Sequence, residues 1–116
     1  MRRHHDLLVW QLGIQLVKEI HDLTHRFPPS ELHGLVSQMR RAAVSVPSNI
    51  AEGAARDSSR EFARYLVIAR GSLSELETQL IISKELGFIA DFQVVSELLN
   101  REFGLIGGLL NAIRAE

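Results

Sequence analysis

Three groups of side chains in this sequence have types and spacings that could do chemistry. Glu52 and Glu75 lie on neighbouring segments and could act as a general acid and base, but such a pair needs a nucleophile or a substrate-binding group within reach. No motif of that kind accompanies them. His21 and His25 stand at a four-residue step, with His4 and His5 adding two more imidazoles, and this spacing could chelate a metal. A lone pair near a helix end is ordinarily just solvated, and the Glu-x-x-His motif of di-iron bundles is absent. The glycines of "GLIGGLL" fall inside an apolar helical pattern rather than after a strand, so they make no phosphate loop. These readings lead us to expect no metal, no cofactor and no enzymatic activity. The third group is Arg56, Arg60 and Arg64, at four-residue steps, which Arg40 and Arg41 could extend. Clustered guanidinium groups suit phosphate oxygens, so these five arginines are the candidate nucleic-acid-binding residues.

Charge limits how far that last idea reaches. Among 116 residues the formal net charge is −1 with a pI of about 6.5, which gives no global attraction to a polyanion. The basic surplus sits in the first two thirds, whereas residues 73–116 hold seven acidic and three basic side chains. Aromatic residues for base stacking are scarce, and Phe62 and Tyr65, the two beside the arginines, read as core.

Positioning these groups falls to helices. Asp6 is a candidate cap for a first helix striped by Trp10, Ile14, Val17, Ile20 and Thr24, which Pro28 and Pro29 end. A second begins at Ser30 or Glu31 and repeats Leu32, Leu35, Met39, Ala43, Val46, Ile50 and Gly53 at three- and four-residue steps. That stripe runs straight through Pro47. A proline there lacks the donor for the carbonyl of Ala43, and the pattern predicts a kink at Pro47 in a continuing helix. Asp57 or Ser58, with Glu61, caps a third helix carrying Phe62, Leu66, Ala69, Leu73, Leu76 and Leu80 until Gly87 stops it. Asp91 caps a fourth, striped by Phe92, Val95, Leu99, Phe103, Ile106, Leu110 and Ile113. No segment alternates with period two, so the expected fold is all-α: one domain over residues 1–116, an up-down-up-down antiparallel four-helix bundle.

Two features exceed what such a bundle needs. Ser45, Asn49 and Glu52 project to one flank of the second helix, and Ser72 and Glu75 to a similar flank of the third. If these flanks meet they form a polar seam in which Asn49 could bond Ser72 or Glu75 and fix the register. The third helix also has an uncharged back face of Val67, Gly71, Ser74, Thr78 and Ile82, and the fourth a second apolar strip of Val94, Leu98, Leu105 and Leu109 beside thinning glycines. Exposed apolar surface of that extent favours aggregation unless something covers it. Val67, Gly71, Thr78, Ile82, Leu98, Leu105 and Leu109 are therefore candidate contacts between copies in a homo-oligomer, with a wider intramolecular core as the other reading.

The chain has no cysteine, which excludes disulfides and thiolate chemistry and suits a reducing compartment. It has no secretory h-region and no apolar run near the roughly 18 residues of a membrane span. Cytoplasmic localisation and no membrane partner are the expectations.

"SQMRRAAVSVPSNIAEGAAR" followed by "EFARYLVIARGSLSELETQLIISKELGFI" closely resembles the four-helix-bundle family encoded in intervening sequences of bacterial large-subunit ribosomal RNA genes, often labelled as a ribosomal protein. "DLLVWQ" and "FPPSELHGL" extend the likeness to nearly the whole chain. The resemblance implies a ring-like homopentamer. A branch similar in fold, the accessory proteins of diversity-generating retroelements, works beside a reverse transcriptase and contacts nucleic acid through a basic surface. That likeness would place such contacts on Arg40, Arg41, Arg56, Arg60 and Arg64. The expected function is a non-enzymatic oligomeric scaffold that contacts structured RNA or a nucleic-acid enzyme. The alternative is a protein-binding adaptor with no nucleic-acid role, its acidic end engaging a basic partner, and the sequence leaves both open.

Overall fold

The computed structural model describes residues 3–116. Its four helices are α1 (Leu8–Thr24), α2 (Ser37–Ala54), α3 (Ser59–Glu85) and α4 (Gln93–Arg114), with no strand among the described residues. α1 packs on α2 and α4, and α3 packs on the same two, so consecutive helices are neighbours joined by short turns. Phe27, after α1, meets Phe88, after α3, with ring centroids 5.6 Å apart. The two turns therefore share one end of a bundle measuring 46 × 22 × 20 Å, as an up-down-up-down path requires.

The core follows the apolar period. Met39, Ala43, Val46 and Ile50 of α2 are fully buried against Leu66, Ala69, Leu73, Leu76 and Leu80 of α3, which are also fully buried. Ser58 caps α3 as its type and spacing predict, accepting a 3.0 Å hydrogen bond from the Glu61 backbone. At the other end Gly87, with φ 79°, makes the left-handed turn that closes the helix, its N–H donating to the Lys84 carbonyl.

The second helix is a joined, kinked element spanning residues 29–54. A 3-10 turn at Pro29–Glu31 leads into a π-type turn at Leu32–Val36 and then into α2. Gly34 leaves helical geometry, with φ −111° and ψ −109°, while the helix runs unbroken through buried Pro47.

Three expectations need correction. Asp6 lies in a 3-10 turn, Arg3–Asp6, and the residue in the cap position of α1 is Leu7. Asp91 sits two residues before the start of α4, where Phe92 holds the cap position, and accepts from the Phe92 N–H at 2.7 Å. The stripe of α1 is rotated: Val9, Leu12, Leu16, Ile20 and Thr24 are buried, whereas Ile14 is exposed and Trp10 and Val17 are half-buried. Apolar residues occur all round this helix, so the side chosen is the one that also presents Gly13 to the neighbouring helices.

Candidate functional site

The arginines separate into three environments. Arg40 is turned toward α1, where its Nε donates to Thr24 Oγ1 at 3.0 Å and its Nη2 lies 3.1 Å from His25 Nδ1. Thr24 Oγ1 in turn donates to the Ile20 carbonyl, so Arg40 fastens the end of α1 to α2. Arg56, just beyond α2, donates from Nη2 to Glu52 Oε1 at 2.7 Å and to the Tyr65 hydroxyl at 2.9 Å. Its pKa is raised from its ordinary value, first by the Glu52 hydrogen bond and then by the charge interaction with Tyr65. Arg64 lies 3.7 Å from Glu61. Tyr65 carries the guanidinium groups of both Arg56 and Arg64 within 5.4 Å of its ring centre, so it orders two cations instead of filling the core.

Arg60 and Arg64 share a groove of about 530 Å³ with Arg114, at the end of α4, and with Glu61, Ala63 and Val67. Among the described residues neither Arg60 nor Arg114 forms an ion pair. Arg114 was not singled out from the sequence. Fifty residues separate it from Arg64, and only the antiparallel return of α4 brings the two together.

Arg41 points elsewhere. It lines a cleft of about 590 Å³ between α2 and α3 with Gln38, Ala42, Ser45, Ser72, Glu75 and Gln79. Ser45 and Ser72 Oγ atoms meet at 2.7 Å across the helices, and Asn49 Nδ2 donates to the Ser45 carbonyl at 2.8 Å and to Ser45 Oγ at 2.9 Å. Asn49 thus reaches its own helix instead of Ser72 or Glu75. Glu52 turns away to Arg56, and Glu75 is exposed on the cleft wall. Gln79 is only 7% exposed, and its Oε1 has no hydrogen-bond partner.

Of the candidate contacts between copies, Val67, Gly71, Thr78 and Ile82 are exposed on α3, whereas Leu98, Leu105 and Leu109 are half-buried and pack partly on the core. Leu105 and Leu109 also line an apolar groove of about 380 Å³ with Leu7, Leu8, Val9, Gly104, Gly108 and Ala112.

Sequence reasoning also missed Glu102. Its side chain is fully buried on the core face of α4, neither carboxyl oxygen has a hydrogen-bond partner, and burial pushes its pKa up to about 8. A Cβ on Gly13 would lie 3.2 Å from both Glu102 Oε2 and Pro47 Cβ, so the glycine makes room where carboxyl and proline ring converge. The signal was present: Glu102 follows Leu99 by three residues and precedes Ile106 by four, which is core register.

Among the described residues no group of three or more His, Cys, Asp or Glu could hold a metal ion, and no helix is long and apolar enough to cross a membrane. Fold and surfaces together define an all-α bundle protein whose polar features are a cleft between α2 and α3 and an arginine-lined groove at the α2–α3 turn. Residues 5–111 match the family model described as 23S rRNA-intervening sequence protein, and the chain belongs to that family. Comparison with curated proteins finds no match.

Proposed function

We propose that this protein is a non-catalytic helical scaffold that assembles with copies of itself and holds structured RNA against its arginine-lined groove. The observation that carries the reading is the convergence of Arg60, Arg64 and Arg114 on one groove in a chain whose net charge is −1. Binding would be local, and self-assembly would repeat the groove around the particle, five times over if the number implied by the family resemblance holds. Guanidinium groups contacting phosphates release counterions, so the contribution of this groove is modest, indifferent to sequence and steeply dependent on salt.

Retention of a structured RNA at about 50 mM salt, where the electrostatic contribution is strong, tests this reading. Arg60→Ala with Arg64→Ala should weaken binding and reduce the slope of log K against log salt by roughly 0.7 to 0.9 for each phosphate that is no longer neutralised. Arg114→Ala should do the same in smaller measure. Absence of any retention by the wild type would remove the RNA role and leave the adaptor reading, in which the acidic last third engages a basic protein.

A further inference from the structure

The cleft between α2 and α3 holds polar groups that the bundle does not use. Two hydrogen bonds fix the register of its walls: Ser45 to Ser72 at 2.7 Å, and Ser83 Oγ to Met39 Sδ at 3.5 Å. Because the helices are antiparallel, these place Arg41 at the level of Glu75 and Gln79. Opposite charges thus face each other across about 590 Å³ of open cleft, yet Arg41 and Glu75 do not close into an ion pair. Beside them Gln79, more than nine-tenths buried, keeps an unpartnered Oε1. A buried amide oxygen without a donor costs free energy. The cleft itself offers the Glu75 carboxylate on its α3 wall and the bidentate donor Arg41 on its α2 wall, with the Gln79 amide buried beneath.

We infer that this cleft binds a guanine base of single-stranded RNA, an inference that rests on the RNA reading above. Guanine is the standard base that presents two donors side by side, N1–H and N2–H, which match a carboxylate bidentately. Its O6 and N7 acceptors on the adjoining edge match an arginine. The exposed Glu75 carboxylate takes the two donors, and Arg41 takes the acceptors. Adenine and uracil each place an acceptor beside their donor, which would face the Glu75 carboxylate. Cytosine supplies only its amino group. An arginine side chain of a protein partner would also suit Glu75, but Arg41 opposes a second cation in the same cleft. Unstacked bases in loops and single strands are the parts of RNA that proteins read on these edges.

The test uses the full chain. Titration of isotope-labelled protein with guanosine 5′-monophosphate should shift backbone resonances in residues 38–45 and 72–79, and adenosine 5′-monophosphate should bind roughly 10-fold or more weakly. Glu75→Gln, at an exposed position, should abolish the preference without changing the melting temperature. A uridine-tract RNA with one central guanosine should bind more tightly than the same RNA with adenosine or inosine there, because inosine lacks the N2 amino group. Equal binding of the three RNAs, with the salt dependence intact, overturns the guanine site and spares the arginine groove. Loss of all RNA binding by Arg60→Ala with Arg64→Ala, while guanosine monophosphate still shifts the cleft, separates the two sites and supports the inference. Argininamide binding in the cleft more tightly than guanosine monophosphate overturns it in favour of a protein partner.

Discussion

Burial on α4 leaves the Glu102 carboxyl without a hydrogen-bond partner, and desolvation pushes its pKa from 4.5 to about 8. The folded chain therefore holds a proton that the unfolded chain releases. Between about pH 4.5 and 8 the native state binds more protons, so stability falls as pH rises, and the decline ends once the folded carboxyl ionises. At roughly 1.4 kcal/mol per pKa unit, a loss of about 3 kcal/mol between pH 4.5 and 7 is expected. Glu102→Gln keeps the shape and removes the ionisation, so chemical denaturation across this range should give a flatter profile and a more stable protein at pH 8. Equal slopes for the two proteins would place the titration elsewhere. A charged letter in core register was legible in the sequence, but its neighbour Phe103 offered an apolar alternative on the other side of the Leu99 line, four residues on instead of three. The choice depends on Gly13 and Pro47 leaving room for a carboxyl, which is a tertiary fact. Ser45 and Asn49 were legible as a polar flank for the opposite reason, since both lie clear of the Val46 stripe.

Near their shared turn α2 and α3 approach closely. A Cβ on Gly53 would lie 2.7 Å from Tyr65 Cβ and 3.1 Å from Phe62 Cδ1. Tyr65 Cβ is fixed to the backbone, so alanine there must push the helices apart. Gly53→Ala should cost about 1 to 3 kcal/mol in spite of its better helix propensity. It should also loosen Tyr65 from Arg56 and Arg64, detectable as reduced RNA retention beyond the loss of stability. An unchanged melting temperature would contradict the close approach. The stripe of α3 was readable residue by residue because Phe62, Leu66, Ala69, Leu73, Leu76 and Leu80 keep an unbroken three- and four-residue step, with Val67 and Ile82 on the opposite side. That of α1 was not, because Ile14 and Val17 compete with Leu12 and Leu16 and periodicity alone cannot rank them. At Gly34 the sequence carried only a glycine between apolar residues, and its departure from helical dihedrals reflects how the chain enters the bundle after Pro28 and Pro29.

At the scale of the whole molecule, two apolar surfaces lie on different helices. Val67, Ile81 and Ile82 are exposed on α3, and Leu8 is exposed beside a groove whose wall is thinned by Gly104 and Gly108. Nothing lies within 4 Å of a Cβ built on either glycine, so the fold of one chain does not require them. Alanine at both should raise the stability of the isolated chain by up to roughly 1 kcal/mol each through helix propensity. If a ridge of a second copy enters the groove, the same substitutions should weaken assembly. Opposite signs in the two measurements would distinguish a surface kept thin for a partner from an accident of composition. If the two patches meet on neighbouring copies the contact is head-to-tail, which makes a ring where the rotation closes and never a two-fold dimer. Light scattering should then give several times the 13.0 kDa chain mass, and Ile82→Glu and Leu8→Glu should each yield smaller species. Leu8 serves better here than Leu105, whose partial burial against the core would confuse assembly with folding. Mixing the two variants decides the geometry. Each retains the surface that the other has lost, so one intact contact can form and the mixture should contain dimers of about twice 13.0 kDa. A two-fold interface in which both patches meet both patches would leave charge in every pairing and no dimer, and wild-type protein that stays at the chain mass would remove self-assembly from the proposal altogether.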